Sequence, residues 1–233
     1  QANSSCQEKL ITRIMTDTTQ ISDPFIWVKD YVLTKEFCQH TIEKFKTSDA
    51  RAEGNTLGGV NNEAKRSTDL MITREPDWQD EDKILAEAVG RYSNEYVSTL
   101  TNHYNLINQF TNDKTLMDCF NPYTGTYGDL WHDSGYQMQE TTPEQGYVWH
   151  NDFIITEDYG VRKLTFIFYM NDVEEGWTEF VNGQRVQPKA GRMLIFPASW
   201  TYVHRGCPPK STKYIITGWL YESIEKGFIK GTN

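Results

Sequence analysis

A chain of 233 residues with 32 acidic and 23 basic side chains carries a formal charge of −9, which argues against a broad phosphate-binding surface, so no nucleic-acid partner is expected. Aromatic residues make up 13%, seven of them Trp, and this bulky core material excludes a disordered chain despite a mean hydropathy of −0.64. No apolar run approaches the roughly 20 residues that span a bilayer, and QANSSCQEKL lacks a signal-peptide pattern, so no membrane partner is expected and a cytoplasmic location is favoured.

The segment FIWVKDYVLTKEFCQHTIEKF begins as an apolar strand and then offers Thr34 as an N-cap ahead of Phe37, Cys38, Ile42 and Phe45 at helical spacing. Residues 52–68 are rich in Gly and Asn without periodicity, which predicts a long exposed loop able to act as a lid. From Trp78 to about Leu106 an uneven stripe of Ile84, Leu85, Val89, Tyr92, Tyr96 and Leu100 predicts a second helix that buttresses a sheet. Beyond NPYTGTYGDL the character changes. KLTFIFYMND, GWTEFVN, QRVQPKAGRMLIFP, WTYVHRG and KYIITGWLYE read as strands of a sandwich or closed barrel, an antiparallel module following the helices. No repeat or linker interrupts the chain, so one domain is expected over 1–233, with helical support at about 20–110 and a β core at about 131–222. Cys6, Cys38, Cys119 and Cys207 are widely spaced without a CxxC pair, which favours free thiols and leaves two disulfides open.

YVWHNDF, residues 147–153, contains the first chemical signal. On an extended chain side chains two apart share a face, so His150 and Asp152 could converge on one metal ion. The motif alone is weak, because five His and 32 acids give roughly 0.7 accidental matches, and a solvated polar pair is the competing reading. A facial triad needs a second His. His40 and His103 fall in the expected helices, and His132 beside Asp133 is a decoy unless a bulge intervenes. His204 remains: ASWTYVHRG places Trp200, Tyr202 and His204 on one strand face after a buried LIFP strand. Alternation in KYIITGWLYE then sets Lys213 on one face with Ile215, Thr217 and Trp219, and a lysine buried in a barrel needs an anion. An isolated lysine snorkelling from a strand end is the alternative.

The order His150-x-Asp152, His204, Lys213 resembles the Fe(II)- and 2-oxoglutarate-dependent oxygenases, especially prolyl 4-hydroxylase-like members. The resemblance covers about residues 136–222 and rests on GYVWHND, FYMND, GWTEF, PKAGRMLIFP, HRGCPP and KYIITGW, with Lys213 nine residues after His204 as the family's basic residue is. It implies an α+β fold with a mainly β core, a double-stranded β-helix (distorted jelly roll, cupin-like) buttressed by N-terminal helices. It also implies Fe(II) on His150, Asp152 and His204, which are then both metal-binding and catalytic, and 2-oxoglutarate and O2 as cosubstrates, with ascorbate a further candidate cofactor. Lys213 and Tyr169 would hold the distal carboxylate of 2-oxoglutarate, Thr217 and Trp219 would line its pocket, and Tyr147 would contact substrate. Two departures stand out. Thr141 occupies the position nine before the first ligand where Tyr is common, making Gln139 the substitute near the C1 end, and EGWTEF replaces a double glycine, altering a turn rather than chemistry. The implied reaction is hydroxylation of an unactivated C–H bond with release of succinate and carbon dioxide. A prolyl residue of a peptide or protein is the first expected substrate, a free amino acid or other small metabolite the second, and a non-catalytic cupin-like metal-binding module the third reading.

Overall fold

Trp27–Lys29 forms the short strand β1, after which the chain enters helix α1, Lys35–Thr47, in a computed structural model that describes residues 17–54, 59–103 and 131–222. Thr34 caps α1 as expected: its Oγ1 accepts from the Phe37 N–H at 3.1 Å, satisfying a donor that the first turn cannot pair internally. Cys38, Ile42 and Phe45 are buried at the expected spacing, and the Phe45 ring meets Tyr214 edge-on at 6.0 Å.

Strands β2 (Ala52–Glu53) and β3 (Thr68–Met71) precede two 3-10 turns and helix α2, Gln79–His103. Leu85, Val89, Tyr96 and Leu100 form the buried stripe of α2, whereas Ile84, expected within it, is 43% exposed; the expected extension to Leu106 lies outside the described residues. The exposed loop expected at 52–68 needs correction. Gly54, Lys65 and Ser67 are buried, and Ala64–Arg66 hydrogen-bonds to the chain at 146–148.

The remaining strands are β4 (His132–Asp133), β5 (Gln137–Thr141), β6 (Tyr147–His150), β7 (Ile155–Thr156), β8 (Gly160–Tyr169), β9 (Thr178–Phe180), β10 (Arg185–Val186), β11 (Arg192–Pro197), β12 (His204–Gly206) and β13 (Lys213–Glu222). Among the described residues the strands make two antiparallel sheets. The larger runs β1-β11-β8-β13-β5-β3-β2, with β4 against β13 and β7 against β8; the smaller runs β10-β9-β12-β6. This is the double-stranded β-helix, with the alternating faces of β8 and β13 dividing between its interior and the helices. Phe166, Phe168 and Ile216 pack outward with α1 and α2 in one buried cluster, while Ile167, Tyr169, Phe180 and Phe196 fill a second.

Strand β12 starts later than WTYVHRG suggests. Residues 199–201 form a turn, closed by the Tyr202 N–H on the Ser199 carbonyl at 3.0 Å, and Trp200 is 70% exposed, so only His204 of the expected face is in a strand. Among the described residues Cys38 and Cys207 are free, buried thiols, while Cys6 and Cys119 lie outside them. Among the described residues no helix is long and apolar enough to cross a membrane.

Candidate active site

Antiparallel pairing of β12 with β6 sets His204 opposite His150, and Asp152 follows β6 by two residues. Ligand atoms of His150, Asp152 and His204 all lie within 4.8 Å of one another, the one such group of three among the described residues. His150 Nε2 is 3.8 Å from one Asp152 oxygen and His204 Nε2 is 3.6 Å from the other. Each imidazole Nδ1 meets a backbone carbonyl, Val148 at 2.7 Å and Tyr202 at 3.0 Å. A carbonyl only accepts, so each Nδ1 carries a proton there, which leaves Nε2 as the atom that each ring can offer a metal.

Burial, with the His204 ring as a further unfavourable neighbour for a second positive charge, pushes the His150 pKa down to about 4, which keeps its ring neutral as a metal ligand must be. For Asp152 burial works against ionisation, but the two imidazoles, the Thr165 hydroxyl and the Arg162 guanidinium outweigh it and hold the carboxyl below its ordinary value. Thr165 donates to Asp152 Oδ2 at 2.7 Å, orienting the carboxylate from β8. Two imidazoles and one buried carboxylate converging from one side fit Fe(II), leaving the opposite positions for ligands.

His40 lies instead beside Glu81, and His132 packs against the Tyr159 and Tyr221 rings, so neither joins the group. Tyr147 does approach it, against strand parity. His204 to Gly206 on β12 spans two residues while their partners His150 and Tyr147 span three (206 − 204 = 2; 150 − 147 = 3), so β6 carries a one-residue bulge. The bulge returns Tyr147 to the face of His150, where their rings stack at 3.5 Å, and leaves Val148 and Trp149 exposed.

The triad lines a cavity of about 640 Å³, counting its open mouth, and Gln139, Thr141, Tyr147, Lys213, Thr217 and Trp219 share its wall. Lys213 is 4% exposed, and its Nζ donates to the Gly176 carbonyl at 2.9 Å; it forms no ion pair with a carboxylate among the described residues. Burial pushes its pKa down to about 8. EGWTEF supports that contact: Glu175 and Gly176 both adopt positive φ, 61° and 63°, and a Cβ at Gly176 would come within 2.8 Å of Pro209. Tyr169 is fully buried behind the wall, its hydroxyl donating at 2.7 Å to Thr178, which does line the cavity. Thr217 donates to the Phe166 carbonyl at 2.9 Å, and the Arg162 guanidinium stacks 3.7 Å over Trp219.

Sequence reasoning missed Thr165, Arg162 and Lys65. Thr165 was within reach, since alternation along β8 puts it on the face of Ile167 and Tyr169. Lys65 gave no periodic signal at all.

Residues 136–221 match the model of the 2OG-Fe(II) oxygenase superfamily. A search of curated proteins finds no match. Among solved structures, a viral collagen prolyl hydroxylase from Paramecium Bursaria Chlorella virus-1, in a 2OG complex, aligns with a TM-score of 0.56 at 18% identity, covering 85% of this chain and 97% of that one. A prolyl hydroxylase from Trichoplax adhaerens, in complex with a hypoxia inducible factor oxygen degradation domain peptide fragment, aligns at 0.62 and 16% identity, covering 85% and 84%. A Pseudomonas putida prolyl-4-hydroxylase aligns at 0.55 and 15%, covering 85% and 93%. The chain thus shares the fold of these prolyl hydroxylases, and within that fold residues 136–221 are similar to the 2OG-Fe(II) oxygenase superfamily.

Proposed function

We propose that the protein is a dioxygenase that uses Fe(II), 2-oxoglutarate and O2 to hydroxylate an unactivated C–H bond, with a prolyl residue in an extended peptide as its substrate. The observation that carries this reading is the buried Lys213 ammonium in the same cavity as His150, Asp152 and His204. A metal-binding barrel without turnover has no use for that cation, whereas a dicarboxylate cosubstrate answers both ends of the cavity.

His150, Asp152 and His204 would hold the iron, with Thr165 and the Val148 and Tyr202 carbonyls fixing their orientation. Bound together there, iron and 2-oxoglutarate supply the oxidising chemistry that consumes O2, releases succinate and carbon dioxide and delivers one oxygen atom to the substrate carbon. Lys213 would neutralise the distal carboxylate. Tyr169 would act on the same group through Thr178, and Thr217 and Trp219 would shape the wall between. The Phe180 and Phe196 rings beside His204 exclude water from the back of the site.

A peptide fits the mouth better than a small metabolite does. Val148, Trp149, Phe153 and Ile155 are exposed on and just after the metal-bearing strand, with Arg205 stacked 4.6 Å over Trp149, and a Pro-rich segment docks on aromatic surfaces at low entropic cost. The Trichoplax adhaerens relative carries a peptide fragment in its complex, which supports the same choice. Mass spectrometry of prolyl peptides and free amino acids incubated with Fe(II), 2-oxoglutarate and ascorbate tests it. A product heavier by one oxygen on peptide, with matching succinate, is expected; oxygenation of free amino acids alone would replace the substrate, and no succinate with any substrate would replace the reaction.

A further inference from the structure

We propose that Lys65 holds the metal-side carboxylate of the 2-oxo acid cosubstrate, so that the cosubstrate is gripped by a lysine at each end; this rests on the cosubstrate reading above. Cross-strand register gives the need. Thr141, nine residues before His150, pairs with Lys213 and therefore sits at the distal-carboxylate end, whereas Trp219 pairs with Thr165 at the level of the metal ligand Asp152. Thr141 is thus at the wrong end of β13 to serve the metal side.

Lys65 reaches the cavity from outside the barrel strands. The Val148 N–H donates to the Ala64 carbonyl at 2.9 Å and the Arg66 N–H to the Gly146 carbonyl at 3.0 Å, which lays Lys65 opposite Tyr147 along the edge of the metal-bearing strand. Its side chain then turns inward. Lys65 is 4% exposed and lines the cavity with His150.

The ammonium is held there by Asp69, 2.6 Å away, whose other oxygen accepts from Ser67 at 2.7 Å. Gly54 makes room for this pair, since a Cβ on it would lie 2.2 Å from Ser67 Oγ. An ammonium carries three donors, so Lys65 can hold Asp69 and a ligand carboxylate together. A buried ion pair contributes little net stability, so its place on the wall of a metal cavity points to a ligand.

The same network makes Gln139 the weaker donor. Asp69 can only accept, so Gln137 turns Nε2 to it at 3.0 Å and presents Oε1 to Gln139, whose Nε2 donates back at 2.9 Å. Gln139 thereby spends one of its two amide N–H donors on Gln137, and the one left is neutral where Lys65 offers a charged donor.

The test separates the two ends of the cosubstrate, using Mn(II) in place of iron to prevent turnover and calorimetry to read binding. Oxalate offers the chelating head without the distal carboxylate. Lys65→Met is expected to weaken both oxalate and 2-oxoglutarate roughly tenfold or more, as for loss of a charge-assisted hydrogen bond, while Lys213→Met weakens 2-oxoglutarate alone. Because Lys65→Met leaves Asp69 buried without its cation, Lys65→Met/Asp69→Asn is measured beside it and should lose oxalate equally, and Lys65→Arg should restore part of the affinity. Oxalate binding at wild-type strength in Lys65→Met and in Lys65→Met/Asp69→Asn would overturn the proposal, as would a fall in their Mn(II) affinity, which would make Lys65 a support of the metal ligands. Failure of the wild-type Mn(II) protein to bind either ligand would instead overturn the cosubstrate reading itself.

Discussion

Lys213 shows how one side chain converts burial into a chemical requirement. Removed from water and hydrogen-bonded to a carbonyl, its ammonium is destabilised, and the pKa falls to about 8. Only the protonated form attracts a carboxylate. Cosubstrate affinity is therefore expected to be flat below pH about 8 and to decline above it as Lys213 loses its proton, with the buried Cys207 thiol the titratable neighbour that shares its surroundings. Lys213→Arg, which stays charged throughout, should abolish that decline; a decline that persists in the Arg variant would assign it to another group. Loss of the metal triad has a different signature. Because a ligand that binds only the folded state stabilises it, saturating Mn(II) at 100 times its Kd should raise stability by about 2.7 kcal/mol in the wild type and leave a folded His204→Ala variant unmoved. Thermal melts with and without metal read this directly. These residues were legible because their chemistry is rare in a chain with five histidines and one lysine on an inward apolar face. Lys65 was not: in a Gly- and Asn-rich stretch nothing local says which of its side chains will be turned inward by pairing with a strand about 80 residues away.

At the scale of elements, the strands were readable and their irregularities were not. The helix from Thr34 follows from a cap and a spacing that act within one turn. The β6 bulge depends on the register of β12 against it, a tertiary fact, and it alone explains why Tyr147 faces the metal ligands. Gly218 is the corresponding fixed point on β13. A Cβ there would lie 2.4 Å from the Phe166 ring and 2.5 Å from the Gly135 carbonyl, and Gly135 itself has φ 85°. Gly218→Ala is therefore expected to destabilise the fold by about 1–3 kcal/mol through overpacking, read as a lower urea midpoint at unchanged slope. An unchanged midpoint would mean that β4 and β5 yield without cost.

The molecule as a whole is tied at its N-terminal side by a buried arginine. Arg192 on β11 donates through Nε to Asp30 at 2.6 Å and through Nη1 to Thr19 at 2.6 Å and to the Gln187 carbonyl at 2.9 Å, while Nη2 pairs with Asp17. Arg192→Met should cost up to about 3 kcal/mol, the low end for breaking a buried pair, because Asp30 keeps Lys189 and some water. Arg192 holds the Asp17 carboxyl down. For Asp30 burial acts against ionisation, but Arg192 and Lys189 prevail and depress it as well. Both folded values lie below the unfolded value of about 3.9, so this stabilisation is complete above pH ~4 and is lost as pH falls through the folded values. Acid unfolding curves should accordingly be shallower in Arg192→Met than in the wild type, and identical acid slopes would remove the latch from the account.

The two ends of the active cavity belong to different sheets. His150 and His204 ride on strands of four and three residues in the small sheet, whereas Lys213 begins a ten-residue strand at the centre of the large one. Short strands with few buried partners open at a small fraction of the global unfolding cost. Amide hydrogens of β6, β9 and β12 should thus exchange with solvent well before those of β8 and β13, and metal should slow the first group while leaving the second unchanged. On heating, the capacity to hold iron would disappear while the large sheet still stands, making inactivation a local event that precedes unfolding. A 2-oxo acid spanning from the triad to Lys213 would then act as a clasp between the sheets, and protection by metal and cosubstrate together should exceed the sum of the two given separately.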